Sequence, residues 1–405
     1  MIINRRTPRL IIRLGCLALA ILLVCPIPFR MYYSGILVQA SPFVTICTIL
    51  TGSAIGLGSI LALGFSIVVI FRKRWFCYFI CPTGLILDAA STIGMRRNSW
   101  WKGCPSAGKY IVLITASGAI VGYPIFMWMD PLVFFNSAFS VFASAGILSV
   151  VLSISGLTLL LLMSITSGSL WCARICPLGA TQDYLAYVGV SIKKVKKIIG
   201  KANTSEKADA KDGYPLTRRT LLAIAAGMAL GLWTKKISIA RADTKPLRPP
   251  GAIGEDEFTG QCVRCGNCMS VCPSRIIRPD TGKAGILGFM APAVSFKKGY
   301  CLENCNKCTN VCPSDALKRL TLDNKQKYII GKAVLSPSLC LLVRGINDCD
   351  ICMRSCPFEA VQIYWDEDSY IAYPVVDQLK CNGCGACELY CPTGDEKAIN
   401  VRVFF

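Results

Sequence analysis

The run Cys262-Val263-Arg264-Cys265-Gly266-Asn267-Cys268-Met269-Ser270-Val271-Cys272-Pro273 sets three thiols two residues apart and closes on a fourth before proline. The pattern, C-x2-C-x2-C-x3-C-P, returns at Cys381, Cys384, Cys387 and Cys391-Pro392. Between these copies lie two looser ones. Cys301, Cys305, Cys308 and Cys312-Pro313 have three residues in the first gap, and Cys340, Cys349, Cys352 and Cys356-Pro357 have eight. First members are 39, 39 and 41 residues apart, so the region is a fourfold repeat.

Three thiolates on one tight loop can reach three irons of a cubane, and the cysteine before proline points away to serve another cluster. This is the bacterial ferredoxin spacing, and it predicts four [4Fe–4S] clusters held by these sixteen cysteines. Gly266, Gly383, Gly385 and Ala386 are small enough to let backbone N–H groups approach the sulfides. Disulfides are the chief rival, but cysteines two apart on a tight loop are poorly placed to bond each other. Zinc is the other, and the shared terminal Cys-Pro argues against both. The near-equal spacing leaves the pairing of the groups open: adjacent (one with two, three with four) or nested (one with four, two with three). Val361-Gln362-Ile363-Tyr364 and Ile399-Asn400-Val401-Arg402-Val403 alternate as strands.

The chain around this region is of another kind. Of 405 residues, 53% are hydrophobic and 17% charged, and there are 24 cysteines and no histidine. The missing histidine excludes His-ligated haem, Rieske centres, Cys/His zinc fingers and imidazole catalysis. Up to Ala242 there are 25 basic and 6 acidic residues; beyond it, 19 and 18. The excess sits beside long apolar runs, at about 11–29, 51–71, 109–129 and 145–167, and no nucleic-acid partner is expected. Each run is long enough for a membrane span, and a shorter one follows at 220–234. Four basic residues, Arg5, Arg6, Arg9 and Arg13, lie at the N-terminus, seven lie between Arg72 and Lys109, and ten between Arg174 and Arg219. The alternate connections hold Arg30 alone. That asymmetry predicts a multi-pass protein of the cytoplasmic membrane with the basic loops inside.

This half is itself duplicated. Cys77, Cys81, Pro82, Gly84 and Asp88 recur 95 residues later as Cys172, Cys176, Pro177, Gly179 and Asp183. The repeat predicts that the four thiols converge at the cytoplasmic face, as a further thiolate-ligated cluster, another metal site or a redox thiol set. The rival is a repeated helix start with packed thiols. Cys16, Cys25 and Cys47 lie in apolar surroundings and read as packing, and Cys104 has no reading. Asp130, before Pro131, lies in a connection expected outside. There it is either a solvated helix end or a proton acceptor for quinol.

A Lys-rich linker, 191–219, separates the halves. Arg218-Arg219 then precede about 15 apolar residues and Ala240-Arg241-Ala242, which reads as a twin-arginine export signal or as a fifth span. The expected domains are 1–190 (four membrane helices), 191–219, 220–242 and 243–405. The expected fold class is an α-helical membrane bundle of four to five spans followed by an α+β ferredoxin-like polyferredoxin domain.

The paired C-x3-C-P motifs resemble those of NapH-type membrane ferredoxins. The stretch from the twin arginines through Arg248-Pro249-Pro250-Gly251-Ala252 and all four cysteine groups resembles NapG/MauM-type exported ferredoxins. The chain is therefore similar to a NapH–NapG fusion. That resemblance implies electron transfer from membrane quinol to a periplasmic reductase or cytochrome, as a quinol dehydrogenase component, with lipid around the first half and the ferredoxin domain on the periplasmic side. One departure is that the linker carries no cysteine, whereas NapH-type proteins carry two further ferredoxin motifs there. The alternative function is a structural or assembly scaffold without turnover of its own.

Overall fold

The computed structural model describes residues 6–25, 33–54, 56–93, 103, 105–139, 147–200, 217–240, 246–282, 284–367 and 370–403. The first half is built of α1 (Arg6–Val24), α2 (Ser34–Gln39), α3 (Pro42–Leu50), α4 (Leu57–Phe71), α5 (Trp75–Phe79), α6 (Pro82–Ile93), α7 (Ala107–Ile120), α8 (Pro131–Phe139), α9 (Ile147–Ser167), α10 (Pro177–Gly200) and α11 (Arg218–Ala240). Prolines open α3, α6, α8 and α10, where a missing N–H costs nothing. Ser41 also caps α3, accepting from the Val44 N–H.

The expected bundle of four to five spans is not what forms. Among the described residues one helix is long and apolar enough to cross a membrane, through Val150–Ser167 of α9. The run at 51–71 yields α4, 15 residues and about 22 Å long, against the roughly 30 Å of a bilayer core. The run at 109–129 breaks after Ile120, because Gly122 turns the chain at φ +89°. In α1 the first turns carry Arg6, Arg9 and Arg13. Hydropathy merged helices with the turns that end them, and so overstated their length. The protein is a mixed, helix-rich fold. Helix α10 continues through Gly200, into the Lys-rich stretch.

The helix α11 lies along α7. Gly227 permits the contact, because a Cβ there would strike Ser117 and Ile114. Ala242 lies outside the described residues.

In the second half three two-stranded antiparallel sheets frame the cysteine loops. They pair β1 (Ile277–Pro279) with β2 (Pro292–Val294), β3 (Lys332–Leu335) with β6 (Ile399–Arg402), and β4 (Val361–Asp366) with β5 (Ile371–Val376). Strands β4 and β6 fall where the alternation predicts them.

The halves are packed together. Tyr123 Oη and Thr259 Oγ1 are 3.2 Å apart, Gln261 Nε2 donates to Ser53 Oγ at 2.5 Å, and Lys235 pairs with Glu257 at 2.9 Å. One hydrophobic core unites Val38, Phe43, Cys81 and Cys176 of the helical half with Val263 and Cys265 of the first cysteine group.

Candidate metal centres

The sixteen cysteines line four cavities, and each cavity takes its thiols by one rule. The first is lined by Cys262, Cys265 and Cys268 with Cys312. The second takes Cys301, Cys305 and Cys308 with Cys272. The third takes Cys340, Cys349 and Cys352 with Cys391, and the fourth Cys381, Cys384 and Cys387 with Cys356. Three thiols of a group thus meet the Cys-Pro thiol of its neighbour. The pairing left open by spacing is the adjacent one.

Backbone geometry shapes these loops. Gly266, Gly383 and Gly385 have φ of +81°, +75° and +81°, the left-handed region that suits glycine. A Cβ on Gly385 would strike the Phe296 ring. N–H groups are aimed at sulfur, as from Leu317 to Cys312 Sγ and from Ala360 to Cys356 Sγ, each 3.3 Å. Such bonds favour the more negative, reduced state of a cluster.

Burial pushes the Cys384 thiol up to about 12, and those of Cys312 and Cys352 up to about 11. Cys391 behaves differently. Burial opposes its ionisation, but the Thr393 hydroxyl and the N–H groups of Thr393, Ala398 and Ile399 hold it below its ordinary value. A dry nest of four thiols is a poor place for thiolates unless a cation compensates them, which coordination to iron provides. None of the sixteen is in a disulfide. Among the described residues no three Cys, Asp or Glu side chains converge on one point as a single ion requires. The thiols ring a space instead, and this donor set fits [4Fe–4S] clusters.

The duplicated motif of the helical half is also drawn together. Cys81 and Cys176 are buried just ahead of α6 and α10, and the Gly84 N–H lies 3.3 Å from Cys81 Sγ. Cys77, Cys81, Cys172 and Cys176 are near enough to act on one another electrostatically. The repeats clasp across their boundary: Arg74 donates to both Asp183 oxygens, at 2.9 and 2.7 Å, and to the Cys172 carbonyl at 3.4 Å. The matching acid, Asp88, takes Arg13 at 2.7 Å.

Asp130 is fully buried, not a solvated helix end. It accepts from Ser41 Oγ at 2.5 Å and from the Leu132 N–H at 2.8 Å. Arg218 and Arg219 are exposed at the start of α11. Cys47 is buried and Cys16 and Cys25 half-buried, in keeping with packing, while Cys104 lies outside the described residues.

Two further residues escaped the sequence reading. Gln182 donates from Nε2 to Cys77 Sγ at 2.9 Å, and Asn136 donates from Nδ2 to the Cys265 carbonyl at 2.8 Å. The first had a signal, since the equivalent position of the other repeat is Leu87 and the polarity is unshared. Asn136 had none.

Comparison with known proteins agrees with the cysteine geometry. A 4Fe-4S dicluster domain matches residues 261–342 and 347–394. The ferredoxin-type protein MauM of methylamine utilization from Methylorubrum extorquens is 37% identical over 44% of this chain and 80% of its own length. The chain belongs to the MauM/NapG family of ferredoxin-type proteins. NapG of Escherichia coli is 37% identical over 41% of the chain and 74% of its own length. NapF of the same organism is 30% identical over 41% and 88%. A second model, a 4Fe-4S binding domain, matches 55–99 and 149–201, and each match holds one copy of the C-x3-C-P motif. No solved structure matches. Like the rest of the MauM/NapG family, the protein is an iron–sulfur, ferredoxin-type electron-transfer protein.

Proposed function

We propose that the chain is a membrane-attached relay that takes electrons from quinol in the cytoplasmic membrane. It passes them to a redox partner, a reductase or cytochrome, on the periplasmic side. The observation that carries this reading is the seat of the first cysteine loop, whose Val263 and Cys265 lie in the core of the helical half. A ferredoxin domain so placed is coupled to its anchor and not merely tethered to it.

The sixteen cysteines hold four [4Fe–4S] clusters, three from each group and one from its neighbour. Cys77, Cys81, Cys172 and Cys176 hold a further thiolate-ligated cluster. A cluster supplies one-electron storage at each site. The chain supplies the rest. N–H groups of Gly84, Leu317, Ala360 and the Gln182 amide face sulfur and favour added negative charge. Oxidation of a quinol releases two electrons and two protons; Asp130, held beside Ser41, accepts one proton and the other passes to the aqueous phase.

Lipid contact is supported by α9, which bears exposed Val151, Leu159, Leu162 and Ile165, and by exposed Leu57, Ile60, Ile67 and Phe71 on α4. The periplasmic placement is supported by contacts of the ferredoxin half with Gln39, Ser53, Tyr123 and Asn136, which lie in two stretches, 33–54 and 120–139, without Lys or Arg. Arg218 and Arg219 act as the twin-arginine export signal, which suits a domain that folds on its clusters before crossing. A reporter fused after Phe405 should be active outside the cytoplasm alone, and Lys at both Arg218 and Arg219 should abolish that activity. Addition of quinol to membranes should produce the EPR signals of reduced clusters. Signals that appear with dithionite but never with quinol would refute the quinol step.

A further inference from the structure

We propose that the four cysteine cavities form a single file in the order first, second, fourth, third, entered beside the helical half and left at the third. This rests on the cluster assignment proposed above and adds to it a direction through the molecule.

The first cavity is the only one of the four with a cysteine in the helical core. Cys265 packs there, the Asn136 amide donates to its carbonyl, and Gln39 Nε2 donates to the carbonyl of Cys312, the fourth thiol of the same cavity, at 3.4 Å. The exchange of Cys272 and Cys312 joins the first cavity to the second.

The next step skips a group. The N–H of Cys301, in the second cavity, donates to the carbonyl of Cys384, in the fourth, at 2.9 Å. Around that bond Gly385 abuts Phe296, Gly383 abuts Gly331, and the Tyr300 and Tyr390 rings are 6.1 Å apart. Gly385 is thus required by its contact with the first module, the part built on the first two groups (residues 246–330), as well as by its own loop.

The exchange of Cys356 and Cys391 then joins the fourth cavity to the third. The third is lined only by residues from Leu335 onward, so no part of the first module reaches it. It also lies beside an exposed loop. Cys349 and Cys352 are half-buried, and Arg344 to Asp348, the long gap in the third group, are exposed. The departure from regular spacing therefore marks the terminus of the file. A single electron entering at the first site moves by successive one-electron exchanges, each reducing the next site and reoxidising the last. It leaves from the third, the end of the file, to a one-electron acceptor.

The order is tested by spin–spin coupling in the EPR spectrum of the dithionite-reduced full chain, carrying Cys384→Ser or Cys349→Ser. Where iron counting shows the fourth cluster lost, the third should become an isolated spin while the first and second stay coupled. With the third lost, coupling among first, second and fourth should be unchanged. Coupling of the third to the second without the fourth, or separation of the fourth from the second without the third, would overturn the order. If Cys384→Ser does not assemble, Cys349→Ser on the exposed loop decides alone. Iron and sulfide are counted first. A folded wild-type chain without iron overturns the cluster assignment itself, whereas full loading with another coupling pattern overturns only the file.

Discussion

The two halves of this molecule use the same residue, cysteine before proline, in opposite structural settings. In the helical half Cys81 and Cys176 stand just ahead of helices in a core made mostly of apolar side chains, and an ion pair, Arg74 with Asp183, fastens one repeat to the other. In the ferredoxin half the described sheets have only two strands each, and nine of the 28 buried core residues are cysteines. One half has its stability in side-chain packing. The other has it in whatever the thiols hold.

The largest effect should therefore come from stripping iron. Oxidation with a chelator should unfold residues 246–403 and leave the helices of the first half, read as hydrogen-exchange protection split between the halves. Uniform loss across both would break the contrast. Next comes Gly385→Ala. A left-handed φ and the Phe296 ring together oppose the new methyl, and the cost should be about 2–5 kcal/mol, with lowered iron content. Smaller again is Arg74→Ala. Its side chain is 26% exposed and that of Asp183 14%, so the loss is discounted from a fully buried pair to about 1–3 kcal/mol, with iron in the second half unchanged. The smallest is Asn136→Ala, which removes the bonds from Nδ2 to the Cys265 carbonyl and to Asn267 Oδ1. Thermal unfolding should register about 1–2 kcal/mol, and a redox titration should shift one cluster signal only.

The cysteine half was the more legible in sequence, because cluster ligation is a local matter of spacing. Its strands at Val361 and Ile399 could be read from alternation. The pairing of groups could not, since intervals of 39, 39 and 41 residues suit adjacent and nested arrangements alike. The helical half was read less well. Apolar composition is continuous through the turn at Gly122, so a sliding reading counts one long span where the chain builds a 14-residue helix and a bend. Asp130 is a single charge beside a proline, and only the fold could show that Ser41 reaches it. The docking of Cys265 on Asn136 joins residues 129 apart and left no trace in composition.

Iron and acid-labile sulfide, counted on the purified full chain with Mössbauer spectroscopy, test the central claim most directly. The account predicts about 16 of each from the sixteen cysteines, rising to about 20 if the helical thiols carry a cubane of their own, all with [4Fe–4S] parameters. A folded chain that carries no iron, or iron in single-ion sites, would contradict it.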